Sequence, residues 1–296
     1  MKIVFLGTGS MQPTKERNLS SIYFQYETEN ILFDCGEGTQ RQMKIAGVKP
    51  TKLTKVIISH FHGDHVIGLG GLIRNLEANE YQGTLEIYGP KGLEKFFNNI
   101  MNSAYYGNGI KIKLIEIKPG IIIKNDKFII EAFQLDHSVI SYGFSFTEKD
   151  KRKINIDYLK KFGLKQHPLL GDLQRGKDII WNGKKITVNK GTYLVKGKKI
   201  SFVFDTGYCE SAVKLAKEAD ILVSESTFSI EEKEKAKEYK HLTSEDAAKI
   251  AKKSKAKKLI LTHFSQRYKD VSEIGKQAKK IFPNTICAED FMEINI

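Results

Sequence analysis

Four separate stretches of this chain run from an apolar segment straight into histidine or aspartate, and that recurrence constrains the fold more than any other feature. The run Val56-Ile57-Ile58 enters Ser59-His60-Phe61-His62-Gly63-Asp64-His65. Residues 128–135 lead to His137, residues 200–204 to Asp205, and Leu259-Ile260-Leu261 to His263. In layered α/β folds, ligand-binding groups collect beyond strand ends, so these segments are expected to share one edge of a sheet. Each position taken singly also fits a plain structural role, such as a hydrogen-bonded histidine, or a turn aspartate before Thr206-Gly207.

Imidazole nitrogen and carboxylate oxygen without thiolate suit zinc, manganese or iron in an open, catalytic site rather than a sealed structural one. The spacing allows two ions. His60, His62 and His137 would hold one, Asp64, His65 and His263 the other, and Asp205 would give one oxygen to each. Such a pair, ~3.5–4 Å apart, shares and activates a water and suits in-line attack on a phosphodiester. Asp64 is placed to accept that water's remaining proton. A proton donor for the leaving oxygen is found in His241, just before a helix whose cap is expected to be Thr243. Glu225 would be the acidic partner that keeps it charged and oriented. His241 equally fits a surface histidine flanking a helix, and Glu225 an ordinary acidic residue.

The chain has 296 residues, 41% hydrophobic and 28% charged, so it can bury a sizeable core. It contains no run of ~18 apolar residues that would span a membrane, and its opening residues are too short a stretch for a secretory signal. The three cysteines, Cys35, Cys209 and Cys287, are widely separated. They fit a reducing cytoplasm better than a disulfide framework. Cys209 fits a buried apolar thiol or a neighbour of the metals.

The net charge of +13 favours a polyanionic partner such as nucleic acid, although a lysine-rich solvated surface gives the same sum. The charge is concentrated: residues 149–190 carry twelve basic against four acidic side chains, a net of +8. There Gly163, His167-Pro168, Gly171 and Gly176 break any long element. Residues 154–159 are expected to open a short helix, and Trp181 either anchors the excursion or touches a partner.

Strand-like segments recur near 2–6, 21–26, 30–34, 54–58, 84–88, 112–117, 121–134, 140–146, 192–196, 200–205, 220–224, 258–262 and 291–295. Helical patterns lie near 38–46, 66–78, 91–102, 210–218, 243–254 and 269–281. Early strands follow one another like hairpins and later ones alternate with helices. The fold class expected is α/β, an αββα sandwich of two similar halves.

Ser59 to His65 matches the His-x-His-x-Asp-His signature of the metallo-β-lactamase superfamily. Pro13-Thr14-Lys15-Glu16-Arg17-Asn18 resembles the Pro-x-Lys-x-Arg-Asn loop of the ribonuclease Z family, which matures tRNA 3′ ends. The resemblance extends through residues 32–40, Glu225-Ser226-Thr227-Phe228, His241-Leu242-Thr243-Ser244 and residues 262–268. It implies one metallo-β-lactamase domain over residues 1–296, with 149–190 as an inserted tRNA-binding arm. His167-Pro168 stands where that arm usually has Gly-Pro, and Ser224-Glu225-Ser226 where His-Glu-Ala is common.

The resemblance also implies two Zn2+ per subunit, or Mn2+, held by the seven ligands His60, His62, Asp64, His65, His137, Asp205 and His263. Asp64 would be the general base, and His241 with Glu225 the proton-donating pair. Lys15 and Arg17 would sense nucleotides beyond the cleavage point, and Arg267 would touch the scissile phosphate. The expected protein is a cytoplasmic, homodimeric endoribonuclease that trims precursor tRNA. The alternatives are a small-molecule thioester or phosphodiester hydrolase of the same superfamily, and a non-catalytic RNA-binding protein that keeps a structural metal pair.

Overall fold

The strand Lys2–Gly7 is buried along almost its whole length, as a strand covered on both faces must be. The computed structural model describes residues 1–105 and 109–296. Two seven-stranded sheets lie face to face within it. The first has the order Glu293–Asn295, Lys2–Gly7, Ser21–Tyr26, Glu29–Phe33, Lys55–Ile57, Thr84–Gly89, Lys111–Glu116. The second has the order Thr285–Cys287, Leu259–Thr262, Ile221–Glu225, Lys199–Val203, Tyr142–Glu148, Phe128–Gln134, Gly120–Lys124.

Alternate side chains of both sheets meet in a shared apolar layer. Phe24 of the first sheet packs edge-on against Phe146 of the second with ring centroids 4.7 Å apart, and Phe33 stacks on Phe202 at 4.4 Å. The other face of the first sheet, with Val4, Leu32 and Val56, is covered by Leu69, Leu72, Ile73 and Leu76 of the helix Leu69–Ala78. The outer face of the second, with Val203, Leu222 and Leu259, is covered by helices Glu210–Ala216, Ser244–Lys253 and Ser272–Ile281. The layering is therefore helix, sheet, sheet, helix, as the element pattern leads one to expect.

Strand direction sets the working edge. Lys199–Val203, Ile221–Glu225 and Leu259–Thr262 are parallel neighbours. Phe128–Gln134 is antiparallel to Tyr142–Glu148, which is antiparallel to Lys199–Val203, so it points the same way. All four deliver their C-terminal ends to one edge. Glu29–Phe33 and Lys55–Ile57 of the first sheet are likewise parallel to each other and end at Asp34 and at Ser59-His60.

Several elements differ from the sequence reading, among them the unmarked edge strand Thr285–Cys287 of the second sheet. Residues 121–134 form two strands rather than one, because the Asn125 side chain accepts from the amides of Lys127 and Phe128 and turns the chain back. Residues 192–196 join neither large sheet: Thr192–Val195 pairs with Lys151–Ile154. Lys233–Tyr239 forms a helix that the sequence pattern did not mark.

Between Glu148 and Lys199 the chain leaves the second sheet and builds a small folded unit on a two-stranded stem. Its own core contains Leu159, Leu164, Leu173, Ile179 and Ile186. Gly171 lies inside the helix Leu169–Gln174 instead of breaking it, and the expected short helix forms at Ile156–Lys160. Trp181 is anchored within the unit, where its Nε1 donates to the carbonyl of Phe162 at 3.0 Å.

Candidate metal centre

At the shared edge, side chains from both sheets converge in two groups that meet at Asp205. The first group is His60, His62, His137 and Asp205. His60 Nε2 lies 3.1 Å from His62 Nδ1, which lies 3.2 Å from His137 Nε2. Asp205 Oδ2 stands 3.6 Å from His60 Nε2 and 4.0 Å from His137 Nε2. The second group is Asp64, His65 and His263. The facing Nε2 atoms of the two histidines are 3.1 Å apart and each 3.5 Å from Asp64 Oδ2. Asp205 Oδ1 lies 3.4 Å from His65 Nε2 and 3.3 Å from His263 Nε2.

In His65, His263 and His137 the ring nitrogen turned away from these centres is occupied. His65 Nδ1 lies 2.6 Å from Asp34 Oδ2, His263 Nδ1 lies 2.9 Å from Thr227 Oγ1, and His137 Nδ1 donates to the Lys240 carbonyl at 2.9 Å. Thr227 Oγ1 in turn donates to Glu225 Oε2, which leaves its lone pair to accept from His263. These outer bonds fix the tautomers so that the inner nitrogens present lone pairs.

The backbone contributes as well. Asp34, Lys240 and His263 all lie in the left-handed region, with φ of 58°, 53° and 59°. Other non-glycine residues such as Glu27 and Glu80 adopt it too, but these three do so where their backbone or side chains meet the ligand groups. In Lys240 it turns the carbonyl onto His137 and sends His241 into the cleft.

The residues present fit divalent cations. Asp205 Oδ1 is buried without a hydrogen-bond partner, and three nitrogens within about one contact distance cannot all be satisfied by shared protons. Burial holds His60 well below its ordinary pKa, and burial also lowers His62 and His137, so all three are neutral and competent to ligate at neutral pH. Burial works against charge on His65, yet Asp205, Asp64 and Asp34 raise it well above the usual range. Three carboxylates around one imidazole form an environment that a cation satisfies as well as a proton does. Burial would raise Asp64 and Asp205, but the neighbouring histidines hold both well below the usual carboxylate range.

His241 stands beside these groups. Its Nδ1 is 3.0 Å from Glu225 Oε1 and 3.9 Å from Asp205 Oδ2. Burial opposes its charge, but Glu225 and then Asp205 raise its pKa to about 9. Thr243 caps the following helix in a reciprocal capping box with Asp246, which fixes where the chain enters that helix, two residues after His241.

All of this opens into a cleft of 770 Å³ whose walls include Met11, Pro13, Ile67, Phe228, Tyr239 and Arg267. Arg267 lies over the Phe228 ring at 5.1 Å and pairs with Glu232 at 3.2 Å. Lys15 is exposed at the rim of the neighbouring loop. Arg17 is not brought into the cleft: it is buried and donates to the carbonyls of Tyr268 and Lys269 at 2.6 and 3.3 Å. Cys209 joins neither ligand group and sits 3.6 Å from the Thr206 hydroxyl.

Sequence reasoning missed Asp34, Thr227 and the Lys240 carbonyl. Asp34 had a signal, since it too directly follows an apolar strand. The other two are recognisable only from tertiary contacts.

A ribonuclease Z of Methanothermobacter thermautotrophicus is 36% identical over 100% of this chain and 97% of its own length. The chain belongs to the ribonuclease Z family. The crystal structure of human tRNase Z, short form (ELAC1), is similar with a TM-score of 0.74 and 31% identity, over 100% of this chain and 99% of that one. The metallo-β-lactamase fold protein YhfI from Bacillus subtilis shares the fold at a TM-score of 0.72 and 21% identity, covering 99% and 98%. Residues 1–156 also match the family model described as anti-Pycsar protein Apyc1. That match ends inside the excursion, whereas the ribonuclease Z relative continues through Asp205, His241 and His263.

Proposed function

We propose that this chain is a metal-dependent endoribonuclease that removes the 3′ trailer of precursor tRNA. It leaves a 3′-hydroxyl on the tRNA and a 5′-phosphate on the trailer. The observation that carries this reading is the divided carboxylate of Asp205, one oxygen facing each histidine group, in a chain related end to end to ribonuclease Z.

In this reading His60, His62 and His137 would hold one Zn2+ and Asp64, His65 and His263 a second, with Asp205 available to both groups. The same donors accept Mn2+. Bound divalent cations supply charge neutralisation at the phosphate and a water that deprotonates near neutral pH. Asp64 orients that water and takes its proton. His241, kept protonated by Glu225, gives a proton to the 3′ oxygen as its bond to phosphorus breaks. Thr227 and Asp34 hold His263 and His65 so that their inner nitrogens do not wander. The 5′-phosphate stays with the trailer because attack displaces the 3′ oxygen of the tRNA.

The substrate contacts proposed are Arg267 at the scissile phosphate, Lys15 with the nucleotides beyond the cleavage point, and the basic excursion, residues 149–190 with its stem, as a tRNA-binding arm on a single domain. Phosphate contacts of this kind dominate affinity for RNA. The active form is proposed to be a cytoplasmic homodimer; among the described residues no helix is long and apolar enough to cross a membrane.

The test is incubation of an end-labelled precursor tRNA with the zinc-loaded protein, with and without chelator, and mapping of the new end to the nucleotide. A single cut beyond the acceptor stem, abolished by chelator and by His62→Ala, is expected. An intact precursor, or identical cleavage by His62→Ala, overturns the reading.

A further inference from the structure

Loop 8–19 bears on the metal centre directly, although its side chains do not enter the ligand groups. The amide of Met11 donates to Asp64 Oδ2 at 2.8 Å. Gly9-Ser10 pairs with Phe264-Ser265, the two residues that follow His263, and the Phe264 amide donates to the Thr8 carbonyl. One loop therefore braces two of the residues proposed to hold the second cation. Met11 does so at a φ of 62°, a conformation a methionine keeps only if the loop on either side is held.

Two groups hold it, the buried Arg17 and the half-buried Asp290. The Arg17 guanidinium lies 5.6 Å over the Phe264 ring and donates to the carbonyls of Tyr268 and Lys269. Asp290 accepts from the Thr8 amide and hydroxyl and the Gln42 amide, and at 2.7 Å from the Asn18 amide. The loop is thus clamped at its start and its end, with Met11 between.

We infer that Arg17 is a positioning residue for Asp64 and does not contact RNA. Its guanidinium is committed to the Phe264 ring and two carbonyls within the protein, away from the cleft, whereas its loss would release the Met11 amide from Asp64. This rests on the proposal that Asp64 works on the attacking water.

The two roles separate by substrate. A residue that senses flanking nucleotides matters only when nucleotides are present. A residue that positions Asp64 matters for any phosphodiester. The experiment measures Arg17→Ala and Asp290→Asn on precursor tRNA and on bis(p-nitrophenyl) phosphate, which has no nucleotides. Thermal melting of each variant checks folding, and Arg17→Lys serves as the milder change should Arg17→Ala not fold.

Expected is a kcat loss on both substrates of the same factor, on the order of 10- to 100-fold, the scale of a displaced catalytic group, with KM for the tRNA changed less than kcat. Full activity of Arg17→Ala on the small diester beside a loss confined to tRNA overturns the inference, as does an unchanged kcat on both. Failure of the unaltered protein to cut precursor tRNA while it hydrolyses the small diester would overturn the substrate proposed above but leave the role of Arg17 tested.

Discussion

Nδ1 of His65 lies 2.6 Å from Oδ2 of Asp34, and both side chains are fully buried. Asp34 also accepts from the amide and hydroxyl of Ser59 at 2.7 and 2.8 Å, so one carboxylate at the end of a strand orients a histidine of the second group and the residue before His60. It belongs to neither ligand group itself and acts on both through their supports.

Asp34→Asn should therefore weaken metal binding without removing a ligand. Loss of such an outer partner costs ~10- to 100-fold in affinity. Competition with a chromophoric chelator measures it; affinity equal to that of the unaltered protein would contradict the role given to Asp34.

The acid role of His241 predicts a pH signature. Glu225 raises its pKa, which stands at about 9. The protonated form donates, so kcat should fall as pH rises through the pKa of His241. Glu225→Gln removes the charge that raises this value, and the basic limb should move to lower pH. A basic limb that stays in place in Glu225→Gln, in a pH–rate profile on precursor tRNA, would exclude the pairing.

Much of this centre was legible in the sequence, because each ligand directly follows a run of apolar residues whose strand fixes where it ends. Strand order and direction were not legible, yet they only decide that the ends meet, which the recurrence of ligands already implied. What escaped notice depends on contacts between distant residues. Asp34 meets Ser59 and His65 only after two strands pair. Arg17 reads as an exposed cation in a loop motif, while its partners, the Tyr268 and Lys269 carbonyls, lie 251 and 252 residues further along the chain. The helix Lys233–Tyr239 buries only Ala236 and so shows no apolar period. Residues 192–196 look like a core strand because Thr192-Tyr193-Leu194-Val195 has strand composition, but they face Lys151–Ile154 in the stem.

The excursion can be removed at its stem, with loss of the Lys151 contacts to Tyr26 and Glu27. Its two ends are adjacent, with the Glu148 amide donating to the Lys198 carbonyl at 2.9 Å, and its core is separate from the others. Replacing 150–197 by a short glycine turn should leave hydrolysis of a small phosphodiester in place and raise KM for precursor tRNA. Neutralising a phosphate releases counterions, so the slope of log KM against log salt should flatten in the deleted protein by about 0.7 to 0.9 for each phosphate that the excursion neutralises. An unchanged slope would remove the excursion from the RNA interface.

Core packing gives a separate check on how independent the excursion is. Leu173 is fully buried within it, and Leu173→Ala should cost ~2–5 kcal/mol locally. Hydrogen exchange should then speed up between residues 151 and 195 while the two large sheets keep their protection. Uniform acceleration across the chain would mean the unit does not fold on its own account.

The most direct test of a shared carboxylate is anomalous diffraction from crystals loaded with zinc. Two peaks are expected, ~3.5–4 Å apart, one among His60, His62 and His137, the other among Asp64, His65 and His263, with Asp205 between them; Asp205→Asn should weaken both. A single peak, or two peaks neither of which touches Asp205, would contradict it.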